Sequence, residues 1–328
     1  MRSFSHSFLI SLCAAALFLG AAAPMDAWAA SCCGGGSASS LVMPKFSQGM
    51  LDVSLDMEKY DGYWNADGKY LPDPPGSSLN QYRLNLAGAK RLAPRWQAYI
   101  SLPLVWNDNR YSAVKSDTRG VGDVSLGFWY EAFDNIMCVW KVREIADMKP
   151  AVYLGASLTA PTGASAYDDV KSSFDVTGRG FYRLDANLLL EKTIFPWSVS
   201  FQYSYGVHLE RPINREYGEY VNPYHKKLGD RRLWSVSGGY THFMESMNSL
   251  SAGLSYSDLL ESGGTIDGMG DPTSGMKKRS VAGTLALASD DRDWVLKFSL
   301  SHTFKQDGFG ANFPATDIYT IGVSHVLR

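Results

Sequence analysis

Long apolar runs are what this 328-residue sequence most clearly lacks, apart from one near its start. Beyond residue 29 no stretch approaches the ~18 consecutive apolar residues from which a membrane-spanning helix is recognised. Any membrane that the rest of the chain crosses must therefore be crossed by strands, because only helices and closed barrels satisfy their backbone hydrogen bonds in lipid.

Net charge and cysteine are also scarce. The formal net charge is −2, so nothing in the charge balance points to nucleic acid as a partner. The four cysteines form no CxxC, CxxCH or zinc-type spacing. We therefore expect no metal site, no haem and no other cofactor.

The N-terminus has the organisation of a secretory signal. Arg2 precedes the apolar segment "FLISLCAAALFLGAAA", and small residues at Ala27 and Ala29 flank a candidate cleavage point. The apolar segment is too short for a spanning helix and is followed by a cleavage pattern, so we predict a signal peptide at residues 1–29 and export of the remainder.

The exported chain alternates between apolar and polar residues over unusually long stretches. In "WSVSFQYSYGVHLE" every odd position from Trp197 to Leu209 is large and apolar, and every even position from Ser198 to Glu210 is small, polar or charged. A strand that crosses a bilayer at a tilt needs about 9–11 residues with one apolar face. Similar stretches predict twelve strands, at residues 50–60, 81–88, 96–106, 123–131, 151–163, 181–192, 197–210, 232–243, 249–258, 279–288, 294–304 and 317–327.

The connections between these strands alternate in length. Short connections such as "RLAP" and "TIFP" follow the second, sixth, eighth and tenth strands, and long polar ones follow the odd-numbered strands; the long connection at residues 132–149 is the exception. Outer-membrane barrels have short periplasmic turns and long external loops. We predict an all-β, twelve-stranded antiparallel up-and-down transmembrane barrel at residues 47–328, in the outer membrane of a Gram-negative cell. Residues 30–46, rich in small residues, are expected to form a flexible periplasmic segment or a plug.

The face opposite the apolar one should line the barrel lumen. On the later strands this face carries mostly Ser, Thr and Gly, which cannot fill a barrel of this size. Charged or titratable residues occupy it on the first, second, sixth and seventh strands, and opposed charges tune what passes through a pore. The predicted lumen-lining residues are Asp52, Asp56, Glu58, Arg83, Arg183, Asp185, His208 and Glu210.

Three cysteines remain after the signal peptide. Cys32 and Cys33 are adjacent, and Cys138 lies in the exceptional long connection. All three should face the oxidising periplasm, so a disulfide between the N-terminal segment and Cys138 is one interpretation. The others are lipid modification at Cys32 and unpaired thiols that serve a partner protein.

Two segments carry a resemblance to a known family. "GVGDVSLGFWY" at residues 120–130 and "GASLTAPTG" at residues 155–163 resemble strand motifs of outer-membrane channels associated with phenol meta-pathway degradation. The resemblance implies passive or facilitated passage of small solutes, with aromatic or hydrophobic molecules among the candidates.

The sequence therefore favours a channel or transporter whose partners are outer-membrane lipid and a small-molecule solute. No G-x-S-x-G nucleophile motif is present, and we expect no catalytic residues and no enzymatic activity. Two alternatives stay open: a structural barrel that docks a periplasmic or redox partner, and an outer-membrane lipid-modifying hydrolase.

Overall fold

Twelve long strands dominate the computed structural model, which describes residues 41–65, 67–112, 114–133, 137–310 and 314–328. We number the barrel strands β1 (Gly49–Trp64), β2 (Ser78–Ala93), β3 (Trp96–Tyr111), β4 (Val124–Glu131), β5 (Ala151–Ala160), β6 (Arg183–Ile194), β7 (Trp197–His208), β8 (Arg231–Phe243), β9 (Ser249–Glu261), β10 (Met276–Ala288), β11 (Trp294–Thr303) and β12 (Pro314–Leu327).

These strands form one closed sheet. Each barrel strand pairs antiparallel with the next one along the chain. β12 pairs antiparallel with β1, from Leu327 opposite Gly49 through Ser324 opposite Asp52. Closure leaves no edge strand, as a sheet in lipid requires. The predicted twelve-stranded up-and-down barrel is confirmed.

Alternation along each strand separates the outer surface from the lumen. On β7, Val199 faces outward with 54% of its surface exposed, whereas the inward-facing Gln202 and His208 are 7% and 1% exposed. Within the described part of the chain, no helix is long and apolar enough to span a membrane.

Aromatic residues gather on the outer surface at two levels. Near the end of the barrel where the β2–β3 and β6–β7 turns lie, Trp96 packs against Tyr130, and Trp197 packs against Tyr240. Near the opposite end Tyr82 stacks on Trp106. Trp96 and Trp106 lie ten residues apart on β3, which is ~33 Å along a strand and ~25 Å along the membrane normal at the usual tilt. The aromatic girdles therefore bracket an apolar band of membrane thickness.

The two ends of the barrel differ in their connections. At the short-turn end, β2 and β3 are joined by two residues, as are β6 and β7. At the long-loop end the connections contain strands of their own, Arg211–Glu216 and Glu219–Lys227 with Thr265–Ile266 and Met269–Gly270, which form a separate four-stranded sheet. By the rule for outer-membrane barrels, the short-turn end faces the periplasm.

The long connection between β4 and β5 lies at the short-turn end. The apolar residues Val139, Trp140 and Val142 of this connection could share one face of a short helix, but the described residues form no such helix. Cys138–Val139 is a short strand that pairs parallel with β6, and a 3-10 turn follows at Ile145–Met148. Residue 136, which was to complete that face, lies outside the described residues.

Candidate functional site: the barrel lumen

The lumen has two unlike walls near the short-turn end. One wall is apolar and tightly packed: Trp129 on β4 is 1% exposed and contacts Tyr153 and Leu189 of the neighbouring strands. The other wall carries small side chains, including Ser200, Ser237, Ser251, Gly253 and Thr284. A cavity of about 220 Å³ lies against the small-residue wall.

Residues 41–48, which we call the tail, border this cavity. Leu41 and Met43 are buried against Met50, Ala89 and Val326. The tail therefore lies inside the barrel at the short-turn end and covers part of the lumen there.

A few polar contacts fix the tail. The Met43 amide donates to Gln97 Oε1 at 2.7 Å, and Lys45 Nζ lies 3.1 Å from Glu131 Oε1. Arg91 at the end of β2 donates to the carbonyls of Ser47 and Pro44 at 2.7 and 3.0 Å. The anchoring partners are inward-facing or rim residues of β2, β3 and β4.

Residues 161–182, which we call the mouth loop, fold across the opposite end of the lumen. Asn107 and Asn109 of β3 donate to the carbonyls of Val176 and Phe174, both at 3.1 Å. On the far side of the barrel, Arg179 donates to both carboxylate oxygens of Glu261 on β9, at 2.6 and 2.7 Å. The mouth loop thus spans the long-loop end from β3 to β9.

Asp123 couples the two sequence motifs to the mouth loop. Its carboxylate accepts hydrogen bonds from the amides of Gly163 and Arg179, at 3.1 and 2.7 Å. Thr162 donates to the Gly122 carbonyl at 2.6 Å. Burial raises the pKa of the Asp123 carboxyl above its usual value, although the two amides oppose the shift. The motifs therefore meet at the lumen mouth and set the position of Arg179.

The three predicted acids of β1 point inward, each beside a polar partner. Asp52 accepts from Ser324 and lies 3.6 Å from Lys297 Nζ, and Glu58 pairs with Arg83 Nη1 at 2.7 Å. Asp56 accepts from the Asn85 side chain at 2.8 Å and from Thr320 at 2.7 Å. Glu58 and Arg83 are thus brought together, as are Asp52 and Lys297, which was not among the predicted lumen residues.

The predicted residues of β6 and β7 form a second group. Arg183 donates through Nε to both Asp185 oxygens at 2.9 and 3.0 Å. His208 is almost fully buried and its Nδ1 lies 2.8 Å from the Gly229 carbonyl. Glu210 does not join them: β7 ends at His208, and Glu210 lies exposed two residues beyond it.

Several inward-facing charged residues were not predicted from the sequence: Glu191, Arg231, Glu261, Lys278 and Lys297. Arg231 and Lys278 each lie one residue before the start predicted for their strand, and Glu261 lies beyond the predicted end. Glu191 and Lys297 lie inside predicted strands, where alternation alone places them on the lumen face.

Of the three cysteines that follow the predicted signal peptide, the structure describes Cys138. Cys138 lies at the short-turn end, opposite Thr193 of β6 in the parallel pairing. Cys32 and Cys33 lie outside the described residues.

The closed sheet, the apolar outer band with its aromatic girdles and the polar lumen define a transmembrane β-barrel of the outer-membrane type. No protein-family model matches the sequence, and no curated protein matches it.

Among solved structures, the chain is similar to an outer membrane channel from Pseudomonas putida F1, with a TM-score of 0.65 and 15% identity over 88% of this chain and 97% of the other. Lower similarities include LpxR from Salmonella typhimurium, with a TM-score of 0.40 and 10% identity over 84% of this chain and 99% of the other. A mutant of the TodX monoaromatic hydrocarbon channel has a TM-score of 0.38 and 11% identity over 86% of this chain and 90% of the other. At 15% identity, the similarity to the Pseudomonas putida channel establishes a shared barrel fold.

Proposed function

We propose that this protein is an outer-membrane channel for small solutes, closed at its periplasmic end by its own tail. The observation that carries the proposal is the placement of Leu41 and Met43 inside the lumen, beside a cavity walled by small hydroxyl-bearing residues. Such a wall leaves space in a twelve-stranded barrel, and the tail occupies part of it. We further propose that residues 1–29 are removed as a signal peptide, so that the tail belongs to a free N-terminal segment.

The tail is held strongly enough to close the lumen and weakly enough to leave it. Burial of Leu41 and Met43 contributes roughly 1.5–3 kcal/mol each, and each neutral hydrogen bond such as that of the Met43 amide contributes about 1 kcal/mol. The ordering of the tail offsets part of this gain. A net stabilisation of a few kcal/mol makes an open state a minor but accessible population.

The solute is proposed to be small and partly apolar. When the tail leaves the lumen, the apolar cluster of Trp129, Tyr153 and Leu189 loses its contact with Val42 and offers an apolar surface on one side. Serine hydroxyls offer hydrogen bonds on the other side. Aromatic solutes fit this combination, in agreement with the resemblance of the two motifs to channels associated with phenol degradation.

Liposome swelling tests the channel and its closure together. Deletion of residues 41–47 should raise the swelling rate several-fold for sugars, amino acids and aromatic acids, because the buried tail side chains leave the lumen. Under reducing conditions, deletion of residues 33–39 removes the same number of residues but keeps the tail and should leave the rate unchanged. Equal rates for both deletions would refute closure by the tail, and the absence of swelling with either would refute the channel.

A lipid-modifying hydrolase is the weaker proposal. His302 and Asp317 form a close pair on the outer face, with Nδ1 and Oδ1 2.6 Å apart. The cross-strand neighbours of His302 are Val281 and Asp317, neither of which carries a hydroxyl or thiol nucleophile. Hydrolysis of phospholipid or lipopolysaccharide by the purified protein, abolished by His302→Ala, would overturn our preference.

A further inference from the structure

At the long-loop end of the lumen, two arginines lie beside one carboxylate, and a lysine lies on the next strand. Glu261 is 3% exposed and lies directly opposite Arg231 in the pairing of β8 with β9. Its two oxygens are nevertheless taken by the two terminal nitrogens of Arg179 from the mouth loop. This fork-to-fork geometry is the strong form of an arginine–carboxylate pair, so Glu261 is already neutralised.

Arg231 and Lys278 are left without a counter-charge of their own in the described part of the chain. The Nε atom of Arg231 is buried with no hydrogen-bond acceptor among the described residues. Lys278 lies on β10 opposite Leu259, and Arg179 and Arg231 are among the charges that act on it. The other acids near these cations are Glu58 and Asp185, which are paired with Arg83 and Arg183.

The balance of charge at this level is therefore positive. Glu58, Asp185 and Glu261 each have an arginine partner, and Arg231 and Lys278 remain in excess. Cations that face a narrow lumen without a partner are unfavourable, because their desolvation is not offset by a counter-charge. An anion bound there would remove this cost.

Apolar side chains lie next to the two excess cations. Leu233 is the next inward-facing residue after Arg231 on β8, and it lies opposite Leu259, which in turn lies opposite Lys278. A ligand that places a negative group on the cations therefore meets leucine side chains one step further into the barrel. Beyond them the lumen is lined by serines such as Ser235 and Ser257.

We propose that Arg231 and Lys278 form a binding site for organic carboxylates that carry an apolar body. The carboxylate bridges the guanidinium of Arg231 and the ammonium of Lys278, and the apolar body packs against Leu233 and Leu259. The assignment of these carboxylates as solutes of the channel rests on the proposed function. It makes the site the point at which they enter from the long-loop side.

Equilibrium binding tests the site without requiring transport. Isothermal titration calorimetry of the full mature protein in detergent should detect benzoate and should find its neutral isostere benzamide bound about 10- to 100-fold more weakly, the range expected for a hydrogen bond to a charged group. Acetate, which lacks the apolar body, should also bind more weakly than benzoate.

Two variants locate the effect. The double substitution R231Q/K278Q should weaken benzoate binding about 10- to 100-fold. Lys277→Gln alters the neighbouring residue on the opposite face of β10 and should leave binding unchanged. Heat-modifiable mobility on gels checks that each barrel has folded, and the single Lys278→Gln variant serves if the double variant has not.

The results separate the two proposals. Equal binding of benzoate and benzamide, or benzoate binding that survives R231Q/K278Q, would overturn the carboxylate site even if liposomes swell. Benzoate binding that depends on these cations would support the site even if no swelling is seen, in which case the channel proposal alone would fail.

Discussion

A step of one residue along a strand decides whether a side chain meets lipid or the lumen. Lys277 and Lys278 are neighbours on β10, yet only Lys278 shares the inward face with Met276 and Ser280. The same rule separates Phe201, on the outer face of β7, from the inward-facing Ser200. The Ser200 hydroxyl lies 2.6 Å from that of Ser237 on the adjacent strand β8.

An arginine at position 201 should test this face assignment. Phe201→Arg places a charge on the outer face of β7 near the middle of the membrane and should cost about 2–4 kcal/mol of folding free energy. Ser200→Arg places the same side chain in the lumen, where water and the inward-facing Gln202 and Glu191 can solvate it, and should cost much less. Urea unfolding of both variants in lipid vesicles measures the difference, and equal losses would reverse the assignment.

We predicted most of the lumen residues from this alternation. Asp52, Asp56 and Glu58 fall on the inward face because the pattern of β1 is unbroken over its length. Arg231 and Lys278 were missed because a charge at the end of a strand resembles the start of a polar loop. Glu210 occupies an even position, as do the inward-facing residues of β7, but the strand ends before it. Alternation does not indicate where strand pairing stops.

At the scale of elements, the long loops contain strands that their composition did not predict. The hairpin of Arg211–Glu216 and Glu219–Lys227 turns at Tyr217 and Gly218, both with positive φ (46° and 80°). The Tyr-Gly pair could have signalled this turn, since glycine adopts such φ values at little cost. The surrounding polar residues lack the apolar face that identified the barrel strands.

Acid should loosen the long-loop end before it affects the barrel. Burial opposes ionisation of the Asp271 carboxyl, but hydrogen bonds from Thr273 and Lys226 outweigh it and hold the pKa below its usual value of 3.8. Because the folded-state pKa is lowered, the stabilisation is present above about pH 4 and is lost as the pH falls through the lowered value.

Hydrogen exchange of residues 211–227, corrected for its intrinsic pH dependence, measures this loss between pH 7 and pH 2. Asp271→Asn removes the titrating group and should give low protection throughout the range. Protection that falls equally in the wild type and the variant would show that another group controls the acid response.

At the scale of the whole molecule, the cysteines can link the N-terminal segment to the barrel. Cys33 lies eight residues before the tail begins, so that stretch of chain reaches at most ~28 Å from Leu41. Cys138 lies at the same end of the barrel as the tail. We predict a disulfide from Cys32 or Cys33 to Cys138 in the oxidised protein, with Cys138→Ser increasing conductance by freeing the segment.

Non-reducing peptide mapping of the mature protein checks this link. A cross-linked peptide that contains Cys138 and either N-terminal cysteine would support it. Peptides in which Cys138 carries no such link, or a lipid-modified Cys32, would exclude the disulfide and leave closure to the tail contacts alone.

The pairing of β1 with β12 constrains the order in which this protein is exported and folded. The hydrogen bonds of Asp56 with Thr320 and of Asp52 with Ser324 join residues 264 and 272 positions apart. Until β12 has been exported, one side of β1 has no partner, and its apolar outer residues cannot yet be enclosed by lipid within a finished barrel. Contacts of such long sequence separation form slowly. The chain is therefore prone to aggregation during its transit of the periplasm, and barrel closure waits for β12 to pair with β1.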